Sequence, residues 1–232
     1  YQAALQSVDF TTTASSNGSR VVSFTVADDQ QTSAAVSRTI ALENFTATRL
    51  AVTAQPTLVT AGSGFVVTVA VEDSLGDVVT GYSGSVTLAL SNNPGGSTPG
   101  GGLIVGVSHG VAVFSGLTLN KAAAGYQFTA SSASLTSATT GDITVIPGVA
   151  SQLVVTPAFA TNVTANAPFG FTVSAEDAQG NLTTNFSGNV IVSLAANSAG
   201  STLTGTTTVA TSGGVAVLAG LELNNVASGY EL

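Results

Sequence analysis

Three short acidic clusters are the residues of this chain best equipped for chemistry: Asp28-Asp29, Glu72-Asp73 with Asp77, and Glu176-Asp177 with Asn181. Carboxylates gathered around a turn are the raw material of a calcium site, because that ion takes about six to eight oxygen ligands. On that reading Glu72, Asp73, Asp77, Glu176 and Asp177 are the candidate ligands, and calcium is the one ion the chain would carry. Adjacent residues of a strand point to opposite faces, however, so a Glu-Asp pair seldom converges on one point. The competing reading has each aspartate accept hydrogen bonds from the backbone amides of its own x-x-Gly turn, with no metal and no cofactor. Strand geometry favours the turn.

Other chemistries find little to work with. His109 is the single histidine and stands where the second half of the chain has Gly213, so neither a Ser-His-Asp arrangement nor a histidine-rich metal centre is supplied. A solvated turn position is expected for it. The absence of cysteine removes disulfides, thiolate metal sites and thiol nucleophiles together. The run NNPGGSTPGGG lacks the lysine and the following helix of a phosphate loop; it reads as a long flexible hairpin loop, replaced by ANSAGSTLTG further on. The expectation is that the chain is not an enzyme. Arg20, Arg38, Arg49 and Lys121 face 12 acids, for a net charge of −8, which leaves no cationic patch for nucleic acid. Lys121, the sole lysine, also cannot give every module a Lys–Asn isopeptide. Apolar runs such as GFVVTVAVED break within about ten residues, too short for a helix to insert across a membrane. With 7% charged residues, surface polarity falls to Ser, Thr, Asn and Gln, a composition common in secreted β-proteins. A secreted or cell-surface, extracellular location is expected.

The elements that carry these residues are repeated. The stretch GGVAVLAGLELNNVASGYEL (213–232) matches HGVAVFSGLTLNKAAAGYQF (109–128) at 11 of 20 positions, 104 residues apart. The same offset pairs Glu72-Asp73 with Glu176-Asp177, Gly76 with Gly180 and Gly84 with Gly188, with a small gap opened between the copies near residues 64 and 170. Within a copy the apolar period is two. Phe65, Val67, Val69 and Val71 share one strand face, as do Val86, Leu88 and Leu90, and Tyr126, Phe128 and Ala130. AAVSRTIAL reads as strand for its β-branched content, against a helical alternative. Short strands divided by GDVVTG, NNPGGSTPGGG and NKAAAG indicate an all-β fold, tandem immunoglobulin-like antiparallel β-sandwiches arranged end to end. The divisions expected are 1–45, the C-terminal strands of a preceding module; 46–148, a complete module; and 149–232, a module lacking its last strand or strands. Tyr126 and Tyr230, each after a glycine at the start of a late strand, fit the tyrosine corner of such sandwiches better than an exposed aromatic for carbohydrate stacking.

At these residues the chain resembles the bacterial immunoglobulin-like repeats of giant surface proteins and adhesins. The shared pattern is a V-x-A/V-E-D-x-x-G-N/D strand and turn, then S-G-x-V, G-V-A-x-x-x-G-L-x-L and A-x-G-Y; the EDAQGN of 176–181 is similar to the turn of invasin and intimin modules. Residues 1–45 are more similar to the end of a cadherin-like repeat, although Asp28-Asp29 stands where that family carries Asp-Gly. The resemblance implies a stalk. The function expected is a structural extracellular rod or fibre at the bacterial cell surface, supporting adhesion or envelope architecture. The alternative is an adhesin module that binds a cell-surface glycan or protein through loops at one pole. Partners expected are neighbouring repeats of the same chain, or other copies joined head to tail by strand complementation of the open module, which would propagate as a filament.

Overall fold

The computed structural model describes residues 18–25, 30–42, 46–156 and 162–232. Its strands are β1 (Gly18–Phe24), β2 (Val36–Leu42), β3 (Arg49–Ala54), β4 (Leu58–Thr60), β5 (Phe65–Glu72), β6 (Ser85–Asn92), β7 (Ile104–Gly106), β8 (Val111–Leu117), β9 (Ala123–Ser131), β10 (Ala138–Thr139) and β11 (Ile143–Ile146), followed by β12 (Gln152–Thr156), β13 (Phe169–Glu176), β14 (Asn189–Ile191), β15 (Leu203–Thr204), β16 (Thr208–Ala210) and β17 (Val215–Leu223). The fold is all-β, and no helix occurs among the described residues. AAVSRTIAL contains β2, which pairs antiparallel with β1.

The first sandwich sets the sheet β3-β5-β8 against the sheet β4-β11-β9-β6-β7, with β10 on the flank of β9. Alternation decides which residues meet between the sheets. Val67, Val69, Phe114 and Leu117 from one face Val86, Leu88, Tyr126, Phe128 and Ile143 from the other, all at most 2% exposed. Each such side chain contributes about 1.5–3 kcal/mol on burial, so this cluster dominates the stability of the module. One strand pair departs from the antiparallel expectation, β4 running parallel to β11, and a single parallel bridge joins Arg49 to Thr136. The chain crosses from the first sheet to the second between Ala54 and Leu58, so β4 meets the last strand in the same direction as itself.

In the second sandwich β12-β13-β17-β15 form one sheet, and β14 pairs with β16. Its core is smaller, built on Phe171, Val173, Val190, Leu218 and Leu221. The register corrects the gap suggested by the sequence. Phe65 faces Leu117 and Val67 faces Phe114; Phe169 faces Leu221 and Phe171 faces Leu218, at an unbroken offset of 104 residues. Both ladders carry a bulge between those pairs. Gly116 and Gly220 sit in it at φ +69° and +66°, which a side chain would resist. His109 is exposed at φ +50°, beside Gly110 at φ +77°, and Gly213 and Gly214 adopt the same pair of angles within a few degrees. Positive φ at both residues is the mark of a two-residue hairpin whose twist matches its strands. His109 is therefore a turn residue, its Nδ1 3.1 Å from Ser108 Oγ.

Candidate functional site at the module seam

The acidic clusters close turns. Asp73 Oδ1 accepts hydrogen bonds from the amides of Leu75, Gly76 and Asp77 at 2.9, 3.0 and 3.0 Å. Glu72 points the other way along β5, where its Oε2 lies 3.0 Å from Arg49 Nη2 on β3. Asp77 is exposed. The five candidate ligands thus sit in two separate turns, Glu72, Asp73 and Asp77 in one and Glu176 and Asp177 in the other. Among the described residues no group of three or more His, Asp or Glu side chains gathers as a metal site would require. Asp28-Asp29 lies outside the described residues.

The second turn does more than close itself. Asp177, only 2% exposed, accepts at Oδ1 from the amides of Gln179 and Asn181 at 2.8 and 2.9 Å. Its Oδ2 accepts from the amide of Gly148, in the linker, at 2.8 Å. The Asn181 carboxamide donates to both carboxylate oxygens, at 3.1 and 3.0 Å. Burial opposes ionisation of Asp177, but these hydrogen bonds together hold its carboxyl below the ordinary carboxylate value.

Asn181 then reaches across to the first sandwich. Its Nδ2 donates to the Asn120 carbonyl at 3.0 Å, and its Oδ1 accepts from the Ala122 amide at 2.9 Å. Lys121, between them, donates from Nζ to the Gln179 carbonyl at 3.0 Å. An amide side chain is suited to this position because it is donor and acceptor at once, and the two backbone groups it meets are one of each. At 7% exposure the contact is shielded from water, where an unmade hydrogen bond costs most.

The surface that receives Asn181 is itself fixed. Ser97, 4% exposed, donates from Oγ to Asn120 Oδ1 at 2.8 Å and accepts from the Asn120 amide at 2.7 Å. Asn93 holds Ser97 at both ends, donating to its carbonyl at 2.9 Å and accepting from its amide at 2.7 Å. Asn93 and Ser97 belong to NNPGGSTPGGG and Asn120 to NKAAAG, so the run expected to be a long flexible hairpin loop carries a specific polar lock. The second sandwich reproduces it in Asn197, Ser201 and Asn224 with the same donors and acceptors. Sequence reasoning missed it by reading the run as replaced in the second copy, although both copies carry N-x-x-G-S-T, 93–98 and 197–202, at the same offset of 104.

The two tyrosines form corners. Tyr126 is fully buried and donates to the Lys121 carbonyl at 2.6 Å; Tyr230 donates to the Asn225 carbonyl at 2.9 Å. A cleft of about 610 Å³ in the second sandwich is lined by Val163, Phe169, Leu223, Tyr230 and Leu232 among others. Asn162, Asn225, Ser228 and Glu231 also line it, so apolar and polar groups share the wall and no set of charges converges there.

The fold and this seam define an all-β chain in which two sandwiches are joined by a turn seated on a polar lock. No protein-family model matches it, and no curated protein does. Among solved structures it is similar to FdeC, an Escherichia coli adhesin, at 20% identity and a TM-score of 0.43 over 90% of this chain and 67% of that one. It is similar to domains 4–9 of the surface layer protein SbsC at 16% identity and a TM-score of 0.39, over 93% and 34%. A glycosyl hydrolase family 2 member from Bacteroides cellulosilyticus matches at 13% identity and a TM-score of 0.37, over 54% of this chain and 17% of that one.

Proposed function

We propose that this chain is a structural segment of an extracellular repeat protein, a semi-rigid rod that supports adhesion or envelope architecture at a bacterial cell surface. The observation that carries the reading is the seam: Asn181 and Asp177 fix one sandwich on the next through the linker amide, the Asn120 carbonyl and the Ala122 amide. A protein whose task is to hold a distance needs such joints; one whose task is chemistry needs converging reactive groups. The paucity of charge and the absence of cysteine fit a secreted product. The pole loops that would serve a glycan-binding module are, in the first sandwich, taken up by its neighbour, so the structural role is the better supported of the two.

Small-angle X-ray scattering of the purified chain tests this. The expected profile fits one fixed arrangement of the two sandwiches. A profile that only a broad ensemble of inter-module angles reproduces would overturn the rod.

A further inference from the structure

The seat for Asn181 is built twice in this chain and filled once. In the first sandwich the lock of Asn93, Ser97 and Asn120 presents the Asn120 carbonyl and the Ala122 amide, and Asn181 joins both. In the second, Asn197, Ser201 and Asn224 form the same lock, Ser201 Oγ donating to Asn224 Oδ1 at 2.9 Å and accepting from the Asn224 amide at 3.1 Å. The groups it presents are the Asn224 carbonyl and the Val226 amide. Neither bonds to any described residue, and Val226 is 89% exposed.

We propose that this pole of the second sandwich is a socket for a further sandwich module joined in tandem, which seats an Asp-x-x-Gly-Asn turn through the carboxamide of its last residue. The chemistry selects that residue. A carboxamide satisfies a carbonyl and an amide together, whereas a carboxylate accepts from the amide and sets oxygen against the carbonyl oxygen. The same criterion rejects another copy of this chain as occupant. Its 177–181 turn is already seated, and its 73–77 turn ends on Asp77. Lys121 is replaced in the second copy by Asn225, whose carboxamide turns back to the Ala199 and Gly200 carbonyls at 3.0 and 3.3 Å. The socket therefore reads the turn by the amide pair alone, with no cation beside it.

The inference rests on the tandem-rod reading, and scattering of the chain as it stands tests that reading separately. The socket is tested by extending the chain after Leu232 with a copy of residues 129–232, because Leu232 occupies the repeat position of Phe128. Hydrogen exchange at the Val226 amide is followed by NMR in this protein and in one carrying Asn181→Asp in the appended copy only. Exchange about fivefold slower with asparagine than with aspartate is the expected result, the worth of the one carboxamide-to-carbonyl bond that the carboxylate cannot make. Equal rates in the two, both fast or both slow, overturn the socket. A second arm needs no extension: Asn181→Asp in the original chain is expected to speed Ala122 exchange about fivefold, and an unchanged rate overturns the selection by carboxamide.

Discussion

Replacing Asn181 by alanine strikes the joint and the Asp177 turn together, the two features its side chain serves. Two neutral hydrogen bonds to the first sandwich disappear, from Nδ2 to the Asn120 carbonyl and from the Ala122 amide to Oδ1. Each contributes about 1 kcal/mol net, so the coupling between the sandwiches falls by about 2 kcal/mol. The bond to the Asp177 carboxylate adds about 1.5 kcal/mol, lost within the second sandwich itself. Since about 1.4 kcal/mol is a factor of ten, Ala122 amide exchange is expected to quicken roughly thirtyfold. Native-state hydrogen exchange by NMR reads this directly, with the Val69 amide, deep in the first core, as an internal control expected to stay unchanged. A rise at Ala122 of less than about threefold, with Val69 unaltered, would refute the assignment of the joint to this side chain. A parallel rise at both would show instead that the whole sandwich had been weakened.

Two further outcomes follow from the polar lock and the buried carboxylate. Ser97→Ala and Ser201→Ala each strip a buried hydroxyl from an asparagine amide and carboxamide; each is expected to cost about 1–3 kcal/mol in urea unfolding, and a cost under about 0.5 kcal/mol for Ser97→Ala would remove the lock from the account. Asp177 has its carboxyl held below the ordinary value in the folded chain, so its stabilisation is complete above the ordinary carboxylate range and is lost as pH falls through the depressed folded value. Melting of the second sandwich is expected to drop in that acid window, Asp177→Asn is expected to flatten the drop, and an equally steep acid limb in the variant would refute the role.

The strand faces were legible because alternation is a local property. Phe65, Val67, Val69 and Val71, and Tyr126, Phe128 and Ala130, are the buried sides of β5 and β9, as their spacing indicated. The tyrosine corners were legible because each needs only a carbonyl five residues upstream. The parallel meeting of β4 and β11 was not, since it joins residues more than 80 positions apart with no shared pattern. The gap opened near residues 64 and 170 came from matching glycines. The ladder follows what faces what, and puts Phe65 with Phe169 at the same bulge. Asn181 was read as a turn residue only. Its second task depends on a backbone carbonyl and a backbone amide of another module, and backbone groups leave no signature in sequence. Asp73 and Asp177 illustrate the same limit from the other side: identical spacing to glycine, but one turn ends in Asp77 and faces solvent while the other ends in Asn181 and is buried in the seam.

The contacts that cross the seam have one further property. Carboxamide to carbonyl, amide to carboxamide, ammonium to carbonyl and linker amide to carboxylate are all hydrogen bonds in which at most one partner is charged. Dissolved ions weaken attraction between two exposed opposite charges, with a reach of about 10 Å at 0.1 M and 3 Å at 1 M. They have little hold on bonds of this kind. On the proposed reading of the chain as a rod, a joint made this way would hold the spacing of its modules from dilute water to brine, set by the chain and not by the medium around it.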